Sequence, residues 1–304
     1  EPIRHGNLTV FPVVAAKNYP TSEFLTLDEG LRSGEVIVTE AGTVQGLIRR
    51  NPMPSIRHDG AQVNRLVLVN NSKRPLLLLA GEIVSGGKQD RVIGKDRIVP
   101  PESDPVDLSV FCVEPGRWVA TSEHFGASEA MYGKATANVN QPAPMAMMAQ
   151  PSVRAKAMGD QNQQEVWAEV RKQRDAVTET VEVSGAAPAV AGEISRTTSY
   201  AKVMETDEVK KQVDAVAKPI EENYHSLIRQ LQDRNAVGVV VAVNGRIIWA
   251  DIFASTDLLQ KHWPKLVRSY ASEAVVTRAK DVEVGGSLAR DFLENMEGRR
   301  ETIE

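Results

Sequence analysis

A single cysteine, Cys112, in 304 residues removes two kinds of architecture at once. One thiol forms no internal disulfide and cannot build a cysteine-based zinc cage. Set in VDLSVFCVE, it reads as a buried strand residue rather than a reactive thiol. Histidine is nearly as scarce. His5, His58, His124, His225 and His262 show no metal-ligand spacing and no H-E-x-x-H, so no metal is expected. His124, in SEHFG, reads as an ordinary loop histidine in preference to an acid or base. No apolar run approaches the ~20 residues of a membrane-spanning helix. Positive charge is not in excess either: 36 basic and 40 acidic residues leave a net charge of −4. That balance argues against a general nucleic-acid binder, which needs a strongly basic face. There is no G-x-S-x-G elbow to make Ser85 a nucleophile, and no G-x-G-x-x-G opens a helix, so no cofactor is implied.

What is present suits a globular chain of one large domain or two, with 42% hydrophobic and 25% charged residues. The first 120 residues read as β-rich. NLTVFPVVA, GEVIVTEA, NRLVLVNN, RPLLLLAGE, DRVIGKDRIVP and VDLSVFCVE are short strand-forming runs separated by Gly, Pro, Asn and Asp. LTLDEGLRSG between the first strands suits a short helix ended by Gly34. NPMPS, with two prolines, reads as a loop outside any ladder. From about Ser122 the character changes. The Pro/Met/Ala stretch from Lys134 to Gly159 has no strand alternation and reads as an extended excursion. Within the same region a helix is expected from Asp160, whose Gln163 completes a capping-box pattern, with Val166, Val170 and Val177 on one face. VSGAAPAVAGE then returns to loop composition.

The last hundred residues alternate helix and strand. Val209, Val213, Val216, Ile220, Leu227 and Leu231 form the apolar stripe of a long helix, with Pro219 a kink or break. GVVVAVNGRIIWADIF is a β-hairpin, its Asn244-Gly245 pair supplying the positive φ angles of a type I′ turn. Ser255 caps a following helix that buries Leu259, Trp263, Leu266 and Tyr270. Residues 281–304 carry seven acidic and three basic side chains, enough to account for the whole net charge. Leu288, Phe292 and Met296 fit a short amphipathic helix there, solvated or docked.

Two polar clusters are candidates for chemistry. GEIVSGGKQDRV follows an apolar strand and resembles a phosphate-binding loop, in which backbone amides cradle phosphate, lysine reaches it and a hydroxyl holds magnesium. Gly87 intrudes before Lys88, Gln89 stands at the hydroxyl position, and strand rather than helix follows. A triphosphate-binding loop is therefore excluded. Gly86, Gly87, Lys88, Gln89 and Arg91 still suit a phosphate or carboxylate ligand, with Glu82 just before them. A hairpin with a solvated charged tip is the competing reading. The second cluster is EPGRW. Its Pro115-Gly116 turn lets Glu114, Arg117 and Trp118 project together, with Glu114 as base or ribose contact and Trp118 as ring stack. A surface Glu–Arg pair beside a packed tryptophan competes with that reading.

LLLLAGEIVSGGKQDRVIGKDRIVPP, LSVFCVEPGRW, GVVVAVNGRIIWADIF and WPKLVRSYASEA together resemble the signature blocks of the ADP-ribosylglycohydrolase- and rhodanese-phosphatase-associated domain family. The resemblance covers most of residues 8–120 and 200–277. It implies a role around ADP-ribose- or NAD-related metabolites, because the family is named for genomic company rather than for a reaction. Gly86, Gly87, Lys88, Gln89 and Arg91 would then form the phosphate side. Glu82 and Glu114 would be the catalytic candidates, and Arg117 and Trp118 the ring and ribose contacts.

The expected fold is α+β: a mixed or antiparallel β-rich core with flanking helices and a long irregular insertion. Residues 1–122 form the β-rich part of the body and 123–200 the inserted loop and helix excursion. Residues 200–280 add a helix–hairpin–helix part of the same body, and 281–304 an acidic tail. The expected activity is binding or processing of a phosphorylated, nucleotide-like small molecule. The alternative is a non-catalytic self-assembling protein, an exported filament or polymer subunit contacting itself through 123–200 or 281–304. A first residue other than methionine tilts the expected location toward extracytoplasmic or extracellular.

Overall fold

The computed structural model describes residues 2–40, 65–116, 121–122, 124–126, 145–185, 188–230, 235–280, 282 and 284–296, with backbone alone at 160, 188–189, 193, 225–230 and 296. In chain order the strands before the helical region are β1 (Ile3–His5), β2 (Leu8–Val14), β3 (Leu25–Thr26), β4 (Val36–Glu40), β5 (Arg65–Asn70), β6 (Leu76–Leu78), β7 (Glu82–Gly86), β8 (Arg91–Ile93), β9 (Arg97–Val99), β10 (Val106–Cys112), β11 (His124–Gly126) and β12 (Met147–Met148). A short helix α1 (Leu27–Ser33) separates β3 from β4. Then follow α2 (Pro151–Ala155) with a π turn (Lys156–Asp160), α3 (Gln163–Val183), α4 (Pro188–Arg196), α5 (Tyr200–Glu205) and α6 (Asp207–Gln230). The chain continues through β13 (Ala236–Val243), β14 (Arg246–Ile252), α7 (Thr256–Val276) and α8 (Gly286–Met296). The fold is α+β, and none of the described helices is long and apolar enough to cross a membrane.

Six strands close a barrel in the order β11-β4-β5-β10-β8-β7, with β11 returning to β7 through Phe125 opposite Gly86. Side chains alternate across each strand, so one parity fills the interior. Val36 and Val38, Leu66 and Leu68, Val84, Ile93, Leu108, Val110 and Phe125 form that apolar filling. The same parity continues to Glu40 on β4, to Glu82 on β7 and to Arg91 on β8. Charged side chains therefore stand at both ends of an apolar barrel interior. Helix α1 is held beside one end by a capping box, Thr26 with Glu29, and stops at Gly34 in the left-handed region (φ 67°).

The second part of the core is a four-stranded sheet, β1-β2-β13-β14, in which residues 8–14 pair with 236–243. Val239, Val241 and Val243 face a cluster built from α6 and α7, where Trp263 stacks on Tyr224 at 3.9 Å between ring centroids. Val240 and Ala242 face the other way, against Ala289, Phe292 and Leu293 of α8. Asn244 (φ 51°) and Gly245 (φ 74°) make the turn between β13 and β14. Helix α3 spans both parts. Val166 and Val170 cover the outer barrel face with Ile83, Val92 and Phe111, while Val177 and Val181 join the α6–α7 cluster.

Several expectations need correction. The long helix begins after Asn162, whose side chain accepts from the Gln164 amide; Asp160 instead closes the preceding π turn. VSGAAPAVAGE is not loop throughout, since Pro188 starts α4 at the first helical position, where a missing amide costs nothing. Pro219 does not break helix α6, which runs through it as one element. In the acidic tail, Phe292 packs inward with Ala289 and Leu293, whereas Leu288 is 41% exposed. That tail helix spends its apolar side on the sheet of its own chain. The NPMPS loop and residues 134–144 of the Pro/Met/Ala stretch lie outside the described residues, while residues 145–159 are not an extended excursion but carry β12, α2 and most of the π turn.

Candidate functional site

The β7–β8 hairpin carries the glycine-rich run over the rim of the barrel. Gly86 (φ 130°) and Gly87 (φ 49°) take backbone angles that disfavour side chains. A Cβ on Gly87 would lie 2.3 Å from Phe125 and 2.9 Å from Glu40 Oε1, so close packing also demands glycine there. The loop amides are turned toward the protein's own acceptors. Gly86 N–H donates to Asp90 Oδ1 (3.2 Å), Gly87 N–H to Ser122 Oγ (3.1 Å), Lys88 N–H to Glu40 Oε1 (3.0 Å) and Asp90 N–H to Glu114 Oε2 (3.2 Å). Three carboxylates thus hold the loop in the way a bound anion would.

Beneath this loop lies Arg91, fully buried, opposite Val84 on one side and Cys112 on the other. Its Nη2 stands 3.9 Å from Glu40 Oε1. Glu114, 3% exposed, follows β10 by two residues and its amide donates to Cys112 Sγ (3.3 Å). Burial pushes the Cys112 thiol up from its ordinary value, the opposite of what a reactive thiolate needs. The Gln89 amide donates through Nε2 to the Glu114 carbonyl (3.1 Å). Ser199, which caps α5, donates to Asp90 Oδ2 (2.7 Å) and ties the loop to the helical layer. Gly86, Gly87, Lys88, Gln89, Arg91 and Glu114 therefore come together at one barrel mouth. Arg117 and Trp118 lie outside the described residues. His124 is exposed on β11.

Glu82 is elsewhere. Four residues along β7 correspond to about 13 Å at ~3.3 Å per residue, which puts Glu82 at the other end of the barrel from Gly86. There Lys265 Nζ reaches down from α7 and lies 2.5 Å from Glu82 Oε1 and 2.5 Å from Asp28 Oδ2. All three side chains are at least 95% buried. Burial raises the Glu82 carboxyl above its ordinary value, Lys265 opposing and Asp28 adding to the rise. Burial alone would lower Lys265, but the two carboxylates outweigh it and its pKa is raised. His262, one turn before Lys265, is held neutral, its pKa lowered to about 3 mainly by burial, and its Nδ1 bonds the Leu258 carbonyl at 2.7 Å.

A third polar network seals the seam beside this end. Arg154 makes a bidentate pair with Asp251 (2.9 and 2.7 Å), lies 4.4 Å from the centre of the Trp249 ring and donates to the Ala80 carbonyl. Tyr270 donates to the same Asp251. Burial would raise Asp251, yet Arg154 outweighs it and holds the carboxyl below its ordinary value.

Glu40, Asp28 and Lys265 were not singled out by sequence reasoning, yet a signal existed. Glu40 and Arg91 continue the apolar parity of their strands. In α7, Leu258, His262, Lys265, Ser269 and Ser272 recur every three or four positions and all are buried, beside the expected apolar stripe. A second face made of serine, histidine and one lysine is the mark of a helix covered on two sides. Among the described residues no group of three or more His, Cys, Asp or Glu could hold a metal ion.

No curated protein and no solved structure matches this chain. A family model does, over residues 1–304: the chain belongs to the family of the ARG and Rhodanese-Phosphatase-superfamily-associated Protein domain.

Proposed function

We propose that the barrel mouth binds a phosphorylated, nucleotide-like small molecule of the ADP-ribose class. The observation that carries this reading is the joint placement of Lys88, Gln89, Arg91 and Glu114, from two separate sequence clusters, at one end of a closed barrel. A mouth with buried charge and convergent polar groups is the usual form of a small-molecule site. Because the loop amides are committed to Asp90, Glu40 and Glu114, phosphate recognition falls to side chains. Of Lys88 and Arg91, Lys88 at the rim is the more exposed, half-buried, with Arg91 beneath it as the fixed countercharge to Glu40. Glu114 supplies the carboxylate that contacts or activates the ligand. Glu82, sealed under Lys265, serves the fold instead.

Association of the family with ARG-type enzymes supports ADP-ribose as the first compound to try. Calorimetric titration with ADP-ribose should show saturable binding that Lys88→Ala weakens about tenfold, the size of one lost charge-assisted contact. No binding by the wild-type protein, or binding indifferent to Lys88, overturns the reading.

A further inference from the structure

We propose that helix α8 is a hinged cap. It undocks as a unit about Gly285-Gly286 and bares the apolar sheet face beneath it, while the rest of the chain stays folded.

The segment leading into the helix is fastened to the body. Asn244 Nδ2 donates to the Arg278 carbonyl (2.9 Å) and its Oδ1 accepts from the Lys280 amide (2.8 Å), so the β13–β14 turn grips this segment twice. Val282 lies against Gly245, where an added Cβ would come within 2.5 Å of its side chain. Arg4 Nη2 donates to the Val284 carbonyl (2.6 Å), and Val284 is itself buried. The fastening ends there.

Gly285 and Gly286 come next, both exposed, and neither has a φ in the left-handed region. A Cβ on Gly286 would meet nothing within 4 Å, and one on Gly285 only Ser287 Oγ at 3.8 Å. Neither backbone angle nor close packing demands glycine here. What the pair supplies is backbone freedom and a weak helix start, since Gly285 has no side chain with which to cap α8.

The helix itself is thinly attached. Ala289 is buried, Phe292 and Leu293 are half-buried, and every other residue from Gly286 to Asn295 is exposed. The face beneath is closed and apolar by contrast: Phe11, Val240 and Ala242 are buried, with Val13, Ile247 and Ala250 around them. Ile252, on the same side of β14 as Ala250, is already 50% exposed, so the apolar face runs on past the helix. An isolated helix shorter than about 12–15 residues is marginal in water. Undocking and unwinding of the 11-residue α8 are therefore one event.

Hydrogen exchange of the full chain at neutral pH, in rising urea below the unfolding transition, tests the cap. The amides of Arg290–Asn295 should exchange at least about a hundredfold faster than those of Val239–Val243. They should also share one urea dependence, because the opening exposes apolar surface. Phe292→Ala should speed exchange in α8 about tenfold and leave Val239–Val243 unchanged. Gly286→Ala, for which there is room, should slow it about fivefold by favouring the helix. Protection of α8 equal to that of β13 overturns the proposal, as do graded rates without urea dependence, the signature of simple fraying. Equal acceleration of β13 in Phe292→Ala makes α8 an integral part of the fold, and unchanged exchange in Gly286→Ala removes the hinge. The wild-type urea series stands whether or not either variant folds.

Discussion

The two ends of the barrel carry similar chemistry in opposite settings. Each pairs a buried cation with carboxylate: Lys265 with Glu82 and Asp28 at one end, Arg91 with Glu40 at the other. At the Lys265 end the cation comes from a helix laid across the barrel, both contacts are at 2.5 Å, and nothing among the three groups reaches the surface. At the Arg91 end the cation belongs to the barrel itself, and what lies over it is a turn containing two glycines, with Lys88 half-buried at its edge. The first arrangement is closed by its own partners. The second leaves an acceptor, Gln89 Oε1, without a donor among the described residues. Buried charge alone therefore does not identify a site; the distinction lies in whether the polar groups complete one another.

The largest effect should come from cutting the closed end. Lys265→Met leaves two buried carboxylates facing each other, and loss of one partner of a buried pair costs about 3–5 kcal/mol. Urea unfolding at neutral pH measures it. Without lysine, burial and the neighbouring Asp28 carboxylate are left unopposed and hold the Glu82 pKa further above its unfolded value in the native state. Protonation then favours the fold, so the gap between variant and wild type should narrow as pH falls through the raised folded-state pKa toward about 4.5, the ordinary Glu value, and level off below it. A gap that stays constant with pH would mean the lysine acts by packing.

At the mouth the corresponding break is Gly87→Ala. A positive φ of 49° and a Cβ 2.3 Å from Phe125 make alanine strained and overpacked, at a cost of roughly 1–3 kcal/mol. Because the same shift displaces Glu40 from the Lys88 amide, ligand affinity should fall with stability. Loss of stability with full affinity would separate the loop's fold from the site.

His262 tests the closed end by pH. Its pKa is depressed to about 3 in the fold and near 6.5 when unfolded, so the native state excludes a proton that the unfolded chain binds between those values. Its contribution is present above pH 6.5 and is lost as pH falls toward 3, with a slope of about 1.4 kcal/mol per pH unit. His262→Phe keeps the stack on Phe253 and removes the titration. Urea midpoints followed from pH 7 to 3.5 should therefore fall less steeply in the variant, and parallel curves would dismiss the histidine as a source of acid sensitivity.

Much of this was legible in the sequence, for local reasons. Asn244-Gly245 fixes its hairpin through two positive φ angles, and Ser255 fixes the start of α7 through one hydrogen bond. The glycine-rich hairpin was legible as a hairpin. What no local pattern reveals is closure. Phe125 meets Gly86 across 39 residues of chain, and only that pairing turns a sheet into a barrel with two ends. Without the ends, Glu82 and Glu114 look like equivalent carboxylates near one loop. Lys265 was hidden for a related reason: a lysine beside an apolar stripe reads as solvated until a second layer covers it.

The finest test uses those two carboxylates against each other. Glu114→Gln retains an oxygen to accept the Asp90 amide, so stability should change by no more than about 1 kcal/mol. Ligand affinity should drop about tenfold, because the carboxylate proposed to contact the ligand is gone. Glu82→Gln makes the same chemical change at the closed end, where Asp28 still neutralises Lys265, so a fold that survives should bind the ligand as the wild type does. The mouth assignment predicts opposite outcomes from one substitution made at the two ends of one barrel. Equal affinities in the two variants would collapse the difference between the ends and return the site to an open position in the fold.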